Sequence, residues 1–303
     1  MRVSYSQKYT AVLPEGHIFP MGKFKQLRDL LVYRSVIKDA DIVEPGLVDF
    51  GNLCSVHTPR YADAVWNGAL AKKEVRRMGL PWSKSLAIRS RVAVQGTINA
   101  GMMALQDGIA GNLAGGTHHA MPDFGEGFCV FNDVAVAIRV LKQTMWVQKV
   151  LIIDCDVHQG NGNAAFFADD PDVFTFSIHG EKNYPFKKPA STLDVGLPDG
   201  TEDREYLDAL ERALQHIFTE FTPDLVFYLG GIDPLESDHF GRLSLTLNGL
   251  RERETMVVSE VLNRQLPLAL LLSGGYAPTV AETAQAHAVM YEQAVLIAKS
   301  TVA

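Results

Sequence analysis

Five short, nearly continuous apolar runs constrain the fold of this 303-residue sequence more than any other feature. They are GNLAGGT (111–117), KVLIIDCD (149–156), VFTFSI (173–178), DLVFYLGG (224–231) and PLALLLSGG (267–275). Runs without polar alternation are typical of parallel strands that are covered on both faces. Helical patterns lie between them, among them FNDVAVAIRVLKQ, REYLDALERALQHIFTEF and RERETMVVSEVLNR. We therefore predict a three-layer α/β fold, with a doubly wound, mostly parallel sheet and helices on both faces.

The remaining composition indicates one domain, 1–303, in a reducing compartment. No linker or low-complexity tract interrupts residues 20–300, and the N-terminus lacks the apolar or Arg-rich pattern of a targeting segment, so we expect cytoplasmic residence. No apolar run approaches the roughly 20 residues of a membrane span. Cys54, Cys129 and Cys155 do not form a disulfide framework. A net charge of -7 argues against a nucleic-acid partner, which requires a basic footprint.

Polar side chains follow the apolar runs at their carboxyl ends. They are His118 and His119, then Asp156 and His158, then His179, then Asp233, and last Tyr276. In open α/β sheets, ligands bind in the crevice beyond these ends. Five separate segments are thus expected to converge on one site.

The segment DCDVH predicts a metal site. The strand period of two places Asp154, Asp156 and His158 on one side. Catalytic zinc takes three protein ligands and keeps a fourth position open, so Asp156 and His158 need a partner from another segment, and Asp233 is the best candidate. The alternative, that these acids only cap a turn or helix, is common for a single Asp but less so for this spacing.

Two further motifs predict acid–base and oxyanion chemistry. The tandem His118 and His119 follow two glycines, and imidazole titrates near neutral pH. Tyr276 follows another Gly-Gly pair and could donate a hydrogen bond to a developing oxyanion. The alternatives are core or surface histidines and a tyrosine that only packs, and His179 is interpreted as structural.

Taken in order, GGTHH, GEGFCVFND, DCDVHQGNG, GGIDPLESDHFGRL and SGGY resemble the histone deacetylase family. The resemblance runs from about residue 4 to 285 and is strongest to the class IV branch and its bacterial relatives. It implies an arginase/deacetylase-like fold with one Zn²⁺ on Asp156, His158 and Asp233. His119 would be the general base and acid, Asp154 would orient His118, and Tyr276 would polarise the scissile carbonyl.

The same resemblance implies further site residues. Gly127, Phe128 and Tyr184 would line a tunnel for the acyl-lysine stem. A structural K⁺ or Na⁺ would bind at a site formed by Asp154, Asp156, His158, Ser177 and Ile178. Two features depart from class I enzymes: Asn161 stands behind His119 where class I has an aspartate, and RMGLPWSKS (77–85) has no counterpart of the rim acid that grips the substrate backbone.

We thus predict zinc-assisted hydrolysis of an amide, with an acylated lysine peptide or protein or an acylated small amine as substrate. An acylpolyamine substrate remains an alternative. An arginase-type ureohydrolase needs a second metal with further acids, yet Gly160 and Leu235 stand where those acids would be expected. A catalytically silent binding module is the alternative from another class, although the retained ligands, histidines and Tyr276 argue against it. The sequence leaves acyl length and oligomeric state open.

Overall fold

The computed structural model describes residues 1–301. The eight strands of these residues form one sheet of parallel pairs, in the order β2-β1-β3-β8-β7-β4-β5-β6. The strands are β1 (Val3–Ser4), β2 (Ile42–Val43), β3 (Ile109–Asn112), β4 (Val150–Asp154), β5 (Val173–Gly180), β6 (Leu193–Leu197), β7 (Leu225–Leu229) and β8 (Leu268–Leu271). β3, β4, β5, β7 and β8 are buried along their whole length. The predicted fold class is confirmed.

Ten α-helices connect and cover the strands of the described chain. They are α1 (Lys23–Tyr33), α2 (Phe50–Cys54), α3 (Pro59–Asn67), α4 (Lys72–Met78), α5 (Lys84–Asp107), α6 (Asp133–Gln143), α7 (Asn161–Phe167), α8 (Asp203–Glu220), α9 (Leu247–Leu262) and α10 (Val280–Thr301). No helix within residues 1–301 has the length and hydropathy of a membrane span.

The long helices pack on opposite faces of the sheet, which makes the three layers. A Cβ at Gly101 of α5 would lie 3.1 Å from the ring of Phe227, whereas the hydroxyl of the next strand residue, Tyr228, donates to Glu254 of α9 at 2.6 Å. Because successive strand residues point to opposite faces, α5 and α9 lie on opposite sides of β7.

Two details of the predicted strands are wrong. The strand expected over 111–117 is β3, which ends at Asn112, and β4 ends at Asp154, so Asp156 and His158 lie in the bend beyond it. A strand period cannot therefore explain their alignment. The prediction also missed β1, β2 and β6. β1 and β2 are two residues long, and β6 alternates between partly buried and exposed positions, so none has the apolar run on which the prediction depended.

The strand order explains where the site forms. β3, β8, β7 and β4 are neighbours, although the chain visits them as β3, β4, β7 and β8. This reversal of strand order opens a crevice at their carboxyl ends. The segments that follow these four strands carry the two histidines, Tyr276, Asp233 and the DCDVH bend.

Candidate metal centre and active site

A cavity of about 200 Å³ lies at the carboxyl ends of the four central strands. Its wall includes the imidazoles of His118, His119 and His158, the carboxylates of Asp156 and Asp233, and the ring of Tyr276. Four of the five segments predicted to converge here do so. His179 does not line this cavity; it is buried in β5, with Nδ1 3.3 Å from Ser177 Oγ.

The predicted metal ligands form a compact cluster. One ligand atom from each of Asp156, His158 and Asp233 lies within 4.8 Å of the other two. His158 Nδ1 is 3.0 Å from Asp156 Oδ1 and 3.3 Å from Asp233 Oδ2. An imidazole nitrogen between two carboxylates is a ligand set that zinc accepts.

Asp233 provides a test of whether a cation fits this cluster. Its Oδ1 accepts a hydrogen bond from the backbone N–H of Val157 at 2.8 Å, but its Oδ2 is buried without an aligned hydrogen-bond donor among the described residues. Burial and the charge of Asp156 raise the pKa of Asp233 to about 7. A buried carboxylate is costly unless a cation balances it, so the donor set fits a metal ion.

Neighbouring groups hold Asp156 in place. Its Oδ2 accepts from Ser273 Oγ at 2.8 Å and from the backbone N–H of Gly274 at 2.7 Å, and its Oδ1 accepts from the N–H of His158 at 2.9 Å. The loop after β8 therefore orients the carboxylate of Asp156, which lies in the bend after β4. Asp156 is fully buried, so these bonds are shielded from competition with bulk water.

His118 is paired with a carboxylate, as predicted. Its Nδ1 lies 2.7 Å from Asp154 Oδ2, and its Nε2 lies 3.8 Å from Asp156 Oδ1. Burial opposes protonation of this ring, but the charges of Asp154 and Asp156 and the hydrogen bond to Asp154 together outweigh it and raise the pKa of His118 to about 9. The turn before it is fixed by Asp133, whose carboxylate accepts from the backbone N–H groups of Gly116 at 3.0 Å and Thr117 at 2.7 Å.

His119 has a neutral partner. Its Nδ1 lies 2.6 Å from Asn161 Oδ1, and Asn161 Nδ2 donates to Glu126 Oε1 at 2.8 Å. Burial, together with the charges of His118 and His158, lowers the pKa of His119 well below its ordinary value. A neutral imidazole that donates from Nδ1 leaves Nε2 unprotonated on the cavity side, ready to accept a proton.

Tyr276 is held by its ring and backbone rather than by its hydroxyl. The backbone N–H donates to Asp238 Oδ2 at 2.6 Å, and the ring packs edge-on against Phe240 with centroids 4.9 Å apart. Burial raises the pKa of the phenol well above its ordinary value, so it stays protonated. The hydroxyl has no hydrogen-bond partner within residues 1–301 and is free to donate into the cavity.

The three predicted tunnel residues also line the cavity. Gly127 has a φ of +57°, and a Cβ there would lie 2.5 Å from the ring of His119, so only glycine fits. Phe128 also has a positive φ, +64°, which is uncommon for a bulky residue and sets its ring against Tyr276. Tyr184 stacks edge-on against His119, with centroids 5.2 Å apart. The walls are therefore aromatic.

The predicted monovalent-cation residues are also close in the sheet. Ser177 pairs in register with Asp154, and both Ser177 and Ile178 are buried. The carboxylate of Asp154 is already engaged by His118 and by the backbone N–H of Asp156. The K⁺ or Na⁺ site remains a prediction.

Sequence reasoning missed two buried cations in the cavity wall. Lys23 is 2% exposed, and its Nζ lies 3.4 Å from both the carbonyl of Ser273 and Nε2 of His287. Burial lowers its pKa to about 8. Arg89 donates from Nε to the carbonyl of Tyr9 at 2.9 Å, and burial lowers its pKa to about 10. Both residues come from helices in the first third of the chain, where no strand-end pattern marks them.

Comparison with known proteins identifies the family. The family model described as histone deacetylase domain matches residues 17–291. The chain belongs to the histone deacetylase family. Histone deacetylase 2 of Arabidopsis thaliana is 30% identical and aligns with 86% of this chain and 70% of its own length. The acetoin utilization protein AcuC of Bacillus subtilis is 33% identical, over 80% of this chain and 69% of its own length.

A nearer relative and two solved structures extend the comparison. An uncharacterized protein of Picosynechococcus is 44% identical and aligns with 96% of this chain and 97% of its own length. The HD domain of HDA15 superposes with a TM-score of 0.78 at 20% identity, covering all of this chain and 91% of that chain. A histone deacetylase homologue complexed with SAHA superposes with a TM-score of 0.79 at 22% identity, covering all of this chain and 84% of that chain. At these identities the structures support the fold alone.

Proposed function

We propose that this protein is a zinc-dependent amidohydrolase that removes acetyl or longer acyl groups from lysine side chains or related amines. The observation that carries the proposal is the orphaned Oδ2 of Asp233, which faces Asp156 and His158 in the cavity that also contains His119 and the free hydroxyl of Tyr276. The family and its deacetylase relatives support the same chemistry.

Asp156, His158 and Asp233 would hold the metal. When bound, zinc supplies Lewis-acid polarisation of the acyl carbonyl and activates water for attack. His119 is neutral and presents Nε2 to the cavity, so it accepts the proton of the attacking water and later returns a proton to the leaving amine. Tyr276 donates its unpaired hydroxyl to the oxyanion as negative charge develops.

The environment of each group suits its role. Asp154 holds His118 in a positively charged state, which lowers the proton affinity of the adjacent His119; their ring centroids are 4.1 Å apart. The aromatic tunnel formed around Phe128 and Tyr184 excludes water from the acyl-lysine stem. Excluding water strengthens every electrostatic interaction within the site.

The single metal cluster argues against a ureohydrolase. Among residues 1–301, Asp156, His158 and Asp233 are the only group of three or more potential ligands close enough to hold an ion. An arginase-type site needs two bridged metals and further acids. The acylpolyamine alternative keeps the same chemistry, and only assays on both substrate classes separate it from acyl-lysine hydrolysis.

Metal content and turnover on one preparation test the proposal. We expect one zinc per chain, loss of activity with a chelator and recovery with zinc. Asp233→Asn should reduce zinc affinity, because an amide is a poor zinc ligand. Lys149→Gln, a change on the surface at the other end of β4, is the matched control and should leave zinc affinity and activity unchanged. Two tightly held metals, or activity without metal, would contradict the assignment.

Acyl length is the second expectation. The cavity wall also includes the apolar side chains of Phe19, Phe24 and Ala93, with Lys23 and Arg89 against the two rings. Each buried methylene contributes about 0.8 kcal/mol, so octanoyl-lysine should be hydrolysed at least as efficiently as acetyl-lysine. A kcat/KM series over acetyl, butyryl, octanoyl and myristoyl peptides measures this. A steep fall from acetyl to octanoyl would contradict it.

Domain organisation, location and partners complete the proposed function. We propose one catalytic domain over 1–303, cytoplasmic residence, and an acylated peptide, protein or small amine as the partner, without nucleic acid. The single sheet that all eight described strands form supports one domain. A structural K⁺ or Na⁺ at the Asp154–Ser177 pair belongs to the same proposal, and a change of thermal stability with either ion would test it.

A further inference from the structure

A helix that carries four exposed cations contacts Phe128 of the tunnel wall. α4 has the sequence KKEVRRM, and Lys72, Lys73, Arg76 and Arg77 are all exposed. None of the four forms an ion pair within residues 1–301. Glu74, the helix's only acid, is already engaged by Arg60 at 3.1 Å and by the backbone N–H of Ala71 at 2.8 Å. Glu74 also lies near enough to Arg77 to interact with its charge, so the basic face, defined by these four cations, is only partly neutralised locally.

α4 is fixed to the tunnel wall by its C-terminal end. The backbone N–H of Phe128 donates to the carbonyl of Met78 at 2.9 Å, and the ring of Phe128 lies so close to Gly79 that a Cβ there would approach it to 2.9 Å. The guanidinium of Arg77 stacks 4.2 Å above the ring of Phe124, four residues before Phe128. Arg77 also lies near enough to Tyr184 to influence its phenol electrostatically. The basic face is thus joined to the tunnel wall through Met78 and Arg77.

Helix stability does not explain the charges. Arg76 and Arg77 in the last turn complement the helix dipole, but Lys72 and Lys73 occupy the first turn, where a positive charge opposes it. In a short helix with cations at both ends, the destabilisation by charges at the N-terminus offsets the stabilisation by charges at the C-terminus. The chain as a whole is acidic, with a net charge of -7, so this cluster runs against its average composition.

We propose that the basic face of α4 selects substrates that carry carboxylates beside the acylated amine, namely acyl-lysine within acidic peptide segments. The inference rests on the proposed deacylase function and names the substrate class of that site. Charges near a site mouth attract complementary ligands and repel like-charged ones. Basic histone-like tails and acylpolyamines, which add positive charge next to the amide, are disfavoured by the same face.

Three matched peptides test the preference. Each has one central acetyl-lysine, flanked by Glu and Asp in the first, by Gln and Asn in the second and by Lys and Arg in the third. We expect kcat/KM for the zinc-loaded protein to fall in that order, with about tenfold between acidic and basic peptides, since exposed ion pairs each contribute modestly. The difference should arise in KM and shrink at about 0.5 M salt, where screening shortens the reach of surface charge.

Charge reversal identifies the surface responsible. Lys73→Glu and the double variant Arg76→Glu with Arg77→Glu should each reduce the ratio of acidic to basic kcat/KM, and the double variant should invert it. The Lys73 side chain forms no hydrogen bond, ion pair or ring contact within residues 1–301, so its variant controls for loss of the Arg77–Phe124 stack. Arg212→Glu on α8 is the matched control, an exposed arginine without an ion pair in the described chain, and should leave the ratio unchanged.

Other outcomes separate the two proposals. Hydrolysis of all three peptides with equal kcat/KM, or a ratio unaffected by the double variant, would overturn the acidic-substrate inference and leave the deacylase function intact. Hydrolysis of none would overturn the function, and binding of the same labelled peptides, measured by fluorescence anisotropy, would still decide the charge preference. Stronger competition by duplex DNA than by an acidic peptide without acyl-lysine would also overturn the inference.

Discussion

His118 and His119 are adjacent in sequence, but their different partners assign them different work. For His119→Ala we expect folding and zinc content near normal and a loss of about 10²–10⁴ in kcat, the range for removing a general base. His118→Ala should cost less, because that ring acts through charge and is paired with Asp154. Steady-state kinetics with elemental analysis measure both. Loss of zinc from His119→Ala would instead make this residue a ligand.

Tyr276→Phe isolates a single hydroxyl. The hydroxyl has no partner in the described chain, so its removal should leave zinc content and melting temperature unchanged while lowering kcat by about 10²–10³. Tyr291→Phe is the matched control, since its buried hydroxyl donates to the carbonyl of Asn112 at 2.8 Å and leaves that acceptor unsatisfied when removed. That variant should lose about 1–3 kcal/mol of stability and keep its kcat. Near wild-type kcat in Tyr276→Phe would remove the residue from the mechanism.

Among the elements, the sequence predicted the five central strands and the helices between them because burial on both faces leaves a continuous apolar run. It predicted their ends less well, since backbone pairing and not hydrophobicity decides where β4 stops. Asp156 and His158 still converge with Asp233, although they lie beyond the strand. The bend that brings them there is stabilised by hydrogen bonds from Ser273 and Gly274, which lie in the loop after β8. The sequence does not show that these two residues contact Asp156.

The β8 segment approaches the metal ligands so closely that one methyl group should disrupt them. A Cβ at Gly274 would lie 2.1 Å from Asp233 Oδ2 and 2.6 Å from Asp156 Oδ2. For Gly274→Ala we expect zinc affinity to fall about 10- to 100-fold, as for other changes that displace ligands, with partial recovery of activity in excess zinc. Gly46→Ala, where no atom lies within 4 Å of the added Cβ, is the control. Unchanged zinc affinity would show that this segment gives way without moving the carboxylates.

At the scale of the whole molecule, the candidate site joins segments from both ends of the chain. The residues after β3, β4, β7 and β8 were predictable because strand ends share one edge of a sheet. Lys23 and Arg89 were not, because their place in the wall depends on how α1 and α5 pack, and neither helix carries a local sign of it. The cations of α4 stand in the sequence as KKEVRR, but only the Met78–Phe128 contact shows that this helix is joined to the tunnel wall.

The stability of the whole fold should depend on the neutral state of His57, a residue remote from the metal ligands. Its Nε2 accepts from the backbone N–H of Asn132 at 2.9 Å, and its Nδ1 lies 3.0 Å from the carbonyl of Met121, so the ring must carry its proton on Nδ1. Burial lowers its pKa from 6.5 to about 4. Between about pH 6.5 and pH 4 the unfolded chain binds a proton at His57 that the folded chain does not.

The contribution of His57 is therefore complete above pH 6.5 and is lost as the pH falls towards 4, by up to about 3 kcal/mol. Urea unfolding of the metal-free protein at several pH values between these limits measures the slope without interference from zinc release. His57→Gln should lower stability at pH 7, because no amide reproduces both bonds, but should flatten the decline at acid pH. His216→Gln on α8, an exposed histidine, should keep the wild-type slope. If His57→Gln and wild-type protein lost stability in parallel, the acid sensitivity would belong to other groups.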